Sequence, residues 1–241
     1  MAAVRERAVS VVIATATILV LVAFGIAPFF TPLWIYPGQD RAQAEAWTGW
    51  SAETVHEVTG SVLSDLLIGP PTFAQTVAGQ PVFDEGEASH LRDVRRVVLG
   101  FAVVVLAAAA IVVASFALVR PRSVFWRAVA GGTKVMGIGV VALGIFAGVA
   151  FDTAFELFHR LFFAPGTYSF DPATERLVQL FPDAFWSQTA ISIGFWLIVI
   201  AVVVWRFAGG RARRLEAKGA VEASPANDAR EATPADGATD S

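Results

Sequence analysis

Four runs of about 20 mostly apolar residues decide what this chain can become, because each is long enough to cross a lipid bilayer. They lie near residues 8–27, 97–119, 135–158 and 190–207. The second carries no charge, the third carries acids only near its end, and the fourth closes on Trp205-Arg206. In hydrocarbon the backbone must satisfy its own N–H and C=O groups, so these runs are expected to be helices. The expected fold is an all-α membrane protein: four transmembrane helices, with amphipathic helices in the connections outside the cytoplasm. Composition agrees, since 55% of residues are hydrophobic and only 16% charged, against about a quarter charged in soluble domains. The absence of cysteine excludes disulfides, a thiol nucleophile and Cys-ligated metal. A net charge of −3, with basic residues only in short flanks, argues against nucleic acid as a partner.

The first run is too long for a cleavable signal peptide, and the small residues at Ala42–Ala44 lie too far beyond it. An uncleaved anchor is the reading. Arg5 and Arg7 precede the first run. Arg120, Arg122, Arg127 and Lys134 fill the connection between the second and third. Arg206, Arg211, Arg213, Arg214 and Lys218 follow the fourth. The positive-inside rule then puts both termini in the cytoplasm and the connections 28–96 and 160–189 outside. Trp34, Trp47, Trp50 and Trp186 in those connections suit an interfacial belt.

Residues 1–215 form one transmembrane domain on this reading, and 216–241, lacking apolar periodicity, a disordered cytoplasmic tail. Within connection 28–96, Val55, Val58, Val62, Leu63, Leu66 and Leu67 recur at helical spacing. They predict an amphipathic helix on the outer leaflet or capping the bundle, stopped by Pro70-Pro71. Turn residues at Pro165-Gly166 and Asp171-Pro172 precede a short helix with Leu177, Val178 and Leu180. Gly144 and Gly148 form a G-x-x-x-G step that predicts close helix packing.

Two histidines flank the apolar runs on the outer side. Asp152, Glu156 and His159 are spaced to share one helical face near the end of the third run, amid Phe151, Phe155, Phe158, Phe162 and Phe163. Asp152 is expected to be buried there, and such a group is kept in a membrane only when paired, wetted or functional. His90 follows Asp84 and Glu87, spaced as a capping box at a helix start. Glu87 shares its face and Asp93 lies three residues on. Arg92, Arg95 and Arg96 stand at the membrane surface, to bind lipid oxygens or to anchor the helix. His56, beside Glu57, reads as a solvated side chain.

Imidazole both takes and gives protons near neutral pH. Two of them at one membrane surface point to acid–base chemistry on a lipid ester. No G-x-S-x-G elbow and no H-E-x-x-H is present. Zinc held by His90, His159 and one of Glu87, Asp152 or Glu156 is chemically allowed but has little support from spacing.

The segment FDEGEASHLRDV (Phe83–Val94) resembles the F-x-x-x-E-x-x-H-x-x-D-V signature of the bacterial lipoprotein intramolecular transacylases (Lit) and their uncharacterised membrane relatives. FDTAFELFHRLFF (Phe151–Phe163) and SFDPATERLVQLFPDAFW (Ser169–Trp186) are similar to that family's F-D-x-x-F-x-x-F-H-x-x-F-F and F-D-P…L-F-P segments. The chain departs from the pattern at Tyr168, Glu175 and Asp183, where the family carries Trp, Asp and Glu. The resemblance implies a plasma-membrane enzyme with its site on the outer face. Its partners would be diacylglyceryl-modified lipoproteins and membrane lipids. It would move the sn-2 acyl chain onto the α-amine of the lipoprotein's N-terminal cysteine, with no external acyl donor, cofactor or metal. It further implies His90 and His159 as the catalytic pair, His90 taking the amine proton and the other ring orienting the amine or shuttling the proton. Residue chemistry suggests Asp152 or Glu156 to hold the His159 tautomer and Arg92 or backbone amides for the oxyanion, with Glu87 and Asp93 in support. Two other functions fit the same residues: another lipid-ester acyltransferase or hydrolase, and a non-enzymatic lipid- or partner-binding protein.

Overall fold

The computed structural model describes residues 1–222. The chain runs through α1 (Ala2–Ile26) and a 3-10 turn (Ala27–Phe30), then α2 (Pro32–Arg41), α3 (Ala44–Thr48) and α4 (Ala52–Leu67). A two-stranded antiparallel hairpin follows, β1 (Thr76–Val77) and β2 (Gln80–Pro81). The rest is α5 (Glu85–Leu118), α6 (Arg122–Val149), α7 (Phe151–Phe162), α8 (Arg176–Leu180) and α9 (Asp183–Glu222). Among the described residues, α1 with its 3-10 extension, α5, α6 and α9 are long and apolar enough to cross a membrane.

α1 packs against α5, α6 and α9, and α6 lies along α9. Between hydrocarbon-embedded helices close packing replaces the hydrophobic drive, and small residues let backbones approach. Gly132 does this: a Cβ there would stand 2.7 Å from the Ala14 carbonyl oxygen and 2.8 Å from Ala14 Cα. At the end of the bundle where α1 begins, Phe125 packs edge-on against Phe116 and Trp126. Arg127 bridges Glu6 at 3.2 Å and Glu216 at 3.0 Å, joining α1, α6 and α9.

The opposite end is a cap with its own core. Ser51 accepts the Thr54 N–H to start α4, and the apolar face of that helix buries Val55, Val58, Val62 and Leu66. These meet Phe73, Val82 and Phe83 around the hairpin, Ala88 and Leu91 from the first turns of α5, and Leu180 from α8. A side chain of this kind contributes about 1.5–3 kcal/mol on full burial. The cap thus grips α5 beyond its apolar run. At 34 residues, α5 is about 50 Å long, whereas hydrocarbon is about 30 Å thick. Its charged first turns therefore project from the membrane.

Several expectations need correction. The third run does not continue to Phe158. It ends at Val149, where Ala150 (φ −141°, ψ 61°) leaves the helical region. Asp152 sits in the first turn of the separate α7, exposed rather than buried, as suits an acid at a helix N-terminus. Arg127 and Lys134 belong to α6, leaving only Val119–Pro121 as the turn after α5. Gly144 and Gly148 face open space, with nothing within 4 Å of an added Cβ. The predicted α4 caps the bundle through protein contacts, whereas α2, α3 and the hairpin carried no periodicity long enough to read. The boundary drawn after Leu215 falls inside α9, which runs to Glu222. The rest of the expected tail, 223–241, lies outside the described residues. His56 is half-buried rather than solvated: it bonds Asp40 at 2.8 Å and stacks on Tyr36 at 4.4 Å.

Gly132→Ala should destabilise the detergent-solubilised protein by about 1–3 kcal/mol, because backbone atoms cannot rotate away from the new methyl. Gly144→Ala should stay within about 0.5 kcal/mol of wild type. Thermal unfolding of the pair checks this, and equal melting would refute the α1–α6 contact.

Candidate active site

The site begins with the cap of α5. Asp84 Oδ1 accepts the Glu87 N–H at 2.8 Å and Glu87 Oε2 accepts the Asp84 N–H at 2.9 Å, the reciprocal box its sequence predicts. This fixes the first turn, and His90 follows three residues later. His90 is 6% exposed. Its ring lies 4.8 Å from that of Phe163 and 5.5 Å from that of Phe170. Its Nδ1 is buried with no hydrogen-bond partner among the described residues. Such a nitrogen is normally satisfied, so this one is open to a proton or a ligand.

His159 arrives from α7 and is 9% exposed. Its Nδ1 lies 2.8 Å from the Phe155 carbonyl. A carbonyl only accepts, so Nδ1 carries the hydrogen, and in the neutral ring Nε2 holds the lone pair. The ring is flanked by Phe155 at 4.2 Å, Tyr168 at 5.1 Å and Phe158 at 5.4 Å. The two imidazole centroids are 6.1 Å apart with planes 26° from parallel. No hydrogen bond joins the two rings among the described residues.

The other candidates stand around this pair without touching it. Glu87 is 2% exposed, and its Oε1 accepts the Leu177 N–H at 2.6 Å. Asp93 pairs with Arg96, and Arg92 with Glu85, so Arg92 is engaged away from an oxyanion. Arg95 donates to the Asp65 carbonyl. Asp152 makes no hydrogen bond to His159. Glu156 binds Arg160 at 2.7 Å and the Tyr168 hydroxyl at 3.2 Å. The Arg160 hydrogen bond draws the Glu156 carboxyl below its ordinary value, and Glu156 in turn raises Arg160. The orienting role expected of Asp152 or Glu156 thus falls to a backbone carbonyl of the same helix. A three-ligand zinc arrangement does not assemble among the described residues.

Tyr168, Phe163 and Phe170 enclose the imidazoles from the segment between α7 and α8, which turns at Gly166 (φ +83°). The contact of Phe163 and Phe170 with His90 on α5 spans some 70–80 residues of chain, and no periodicity announces it. The aromatic signature around His159 was the only hint. Aromatic rings enclose the imidazoles, and the nearby open cleft of about 670 Å³ has a mixed wall, with Pro81, Val82 and Phe83 beside Asp84, Glu175 and Arg176.

Residues 11–186 match the family model described as lipoprotein intramolecular transacylase Lit. An uncharacterized protein of Aquifex aeolicus (strain VF5) is 25% identical over 145 residues, 60% of this chain. The match spans 64% of that relative, less than two thirds of its length. The in meso structure of the membrane-integral lipoprotein intramolecular transacylase Lit of Bacillus cereus superposes with a TM-score of 0.72 at 17% identity, covering 87% of this chain and 98% of that one. Two further structures of the same protein, with one histidine replaced by arginine or by alanine, give TM-scores of 0.68 at 17% and 18% identity. They cover 90% of this chain and 95% and 96% of theirs. At that identity the likeness is one of fold, a multi-pass helical membrane protein. With the family match covering most of the chain, this protein belongs to the lipoprotein intramolecular transacylase Lit family.

Proposed function

We propose that this protein moves the sn-2 acyl chain of a diacylglyceryl lipoprotein onto the α-amine of its N-terminal cysteine. The observation that carries this reading is the meeting of His90 and His159, from two separate helices, 6.1 Å apart inside an aromatic enclosure. The gap suits a tetrahedral centre between the rings. The amine donates one hydrogen to His159 Nε2, which orients it. Its other proton passes to His90 as the nitrogen attacks the ester carbonyl and the C–N bond forms. The oxyanion collapses, the ester C–O bond breaks, and His90 returns the proton to the glyceryl oxygen. The product is an amide-linked acyl chain on a lyso-glyceryl cysteine. Atoms balance without water, cofactor or a second acyl donor, since donor and acceptor share one molecule. Positioning of such partners can remove up to roughly 10 kcal/mol of barrier, and the enclosing phenylalanines suit acyl chains.

The site faces outward on this proposal, with both termini in the cytoplasm. The arginines support it: those on the first turns of α1, at the α5–α6 turn and beyond Trp205 on α9 gather at the end of the bundle away from the histidines.

Expressed in a bacterium that makes diacyl lipoproteins and lacks the activity, the wild type should yield N-terminal lipopeptides with an amide-linked acyl chain, read by mass spectrometry. His90→Ala and His159→Ala should each lower that product by about 100-fold or more. His56→Ala and Asp152→Asn should leave it intact. Unmodified lipopeptides from well-expressed wild type would overturn the transacylase reading, and free fatty acid in place of the amide would favour a hydrolase.

Because the chain has no native cysteine, single cysteines report topology cleanly. A membrane-impermeant maleimide should label Gln80→Cys in intact cells, and Lys218→Cys only after permeabilisation. The reverse pattern would put the histidines on the cytoplasmic side.

A further inference from the structure

Glu87 does more than start a helix. It is 2% exposed, and a buried carboxylate is costly unless its oxygens are matched by donors. The capping box uses one oxygen, Oε2 to the Asp84 N–H. The other, Oε1, accepts the Leu177 N–H at 2.6 Å, from ninety residues further along the chain. Leu177 lies in the first turn of α8. The segment just before α8 carries Phe170, which lies against His90, and Tyr168, which lies against His159. Elsewhere α8 is anchored to the cap: Gln39 donates to the Leu180 carbonyl at 2.9 Å, and Arg176 to the Thr48 carbonyl at 2.9 Å. The Glu87 bond ties it instead to the helix bearing His90, one turn away.

We propose that Glu87 is a positioning residue, whose carboxylate clamps α8 to the start of α5 and so holds the aromatic segment 163–175 over the histidine pair. The proposal rests on the transacylase reading for its effect on rate, and on the geometry alone for its effect on that segment. Two N–H donors need two acceptor oxygens, which a carboxylate has and a carboxamide lacks. Glutamine still serves a capping box at this position. Glu87→Gln therefore keeps the helix start and removes the clamp.

In the full-length protein, Glu87→Gln should lower kcat about tenfold, the scale on which small misplacements act, with KM for the lipopeptide within about twofold. Hydrogen exchange should quicken at the Leu177 amide and across 163–176, and stay unchanged in α1, α6 and α9. Phe170→Ala should slow turnover by itself, and adding Glu87→Gln should then cost less than about twofold more, because both act through one segment. Leu177→Pro deletes the same donor at a first-turn position that tolerates proline, and should loosen the segment even where Glu87→Gln folds poorly. Unchanged exchange across 163–176 in both variants, wild-type turnover in Glu87→Gln, or fully multiplicative effects with Phe170→Ala would overturn the clamp. If the wild type makes no amide product, the transacylase reading fails by itself, and the exchange comparison still decides the clamp.

Discussion

The whole arrangement depends on α5 not stopping where its apolar run stops. One continuous helix begins at the Asp84–Glu87 box and ends at Leu118. Its lower part belongs to hydrocarbon. Its first turns are packed by Ala88 and Leu91 into a core shared with α4, the hairpin and α8. Helical continuity makes this a rigid lever, so gripping the cap also fixes where His90 points. Without that extramembrane core, a charged helix end with Glu85, Glu87, Arg92, Asp93, Arg95 and Arg96 would have only water and headgroups to order it.

The second imidazole reaches the site by the opposite device, a break. Ala150 ends the membrane helix and lets α7 start afresh in a new direction. α7 leaves Leu157, Phe158, Leu161 and Phe162 exposed while turning His159 inward. A helix polar on one side and greasy on the other suits an interface better than a bilayer centre. Had the helix run on to Phe158, Asp152 would have been carried into surroundings that disfavour it.

The partners of the rings also shape their chemistry. His159 is oriented by a neutral carbonyl, which fixes the tautomer without supplying a counter-charge. The acids near it are used elsewhere, Glu156 on Arg160 and Tyr168. His90 Nδ1 has no hydrogen-bond partner among the described residues. One ring is thus oriented by a hydrogen bond, while the other is held by packing on Phe163 and Phe170.

Much of this was legible in the residues. Apolar run length specifies spans because the bilayer imposes it, and α4, the capping box and α8 follow from local spacing and cap chemistry. The two histidine segments were legible as motifs. The break at Ala150, the hairpin, the open Gly144–Gly148 face and the carbonyl holding His159 were not, because no local pattern distinguishes them from a continuing helix or a plain loop. By itself the sequence determined the four apolar spans, α4 and α8, and marked two histidine segments, since backbone satisfaction and hydrophobic period act over a few turns. Only the tertiary structure decided which side chains meet: Glu87 with Leu177, Phe170 with His90, His90 with His159. Those contacts join chain positions tens of residues apart. Packing around the cap core and the close approach at Gly132 set them, and neither is written in any one stretch of the chain.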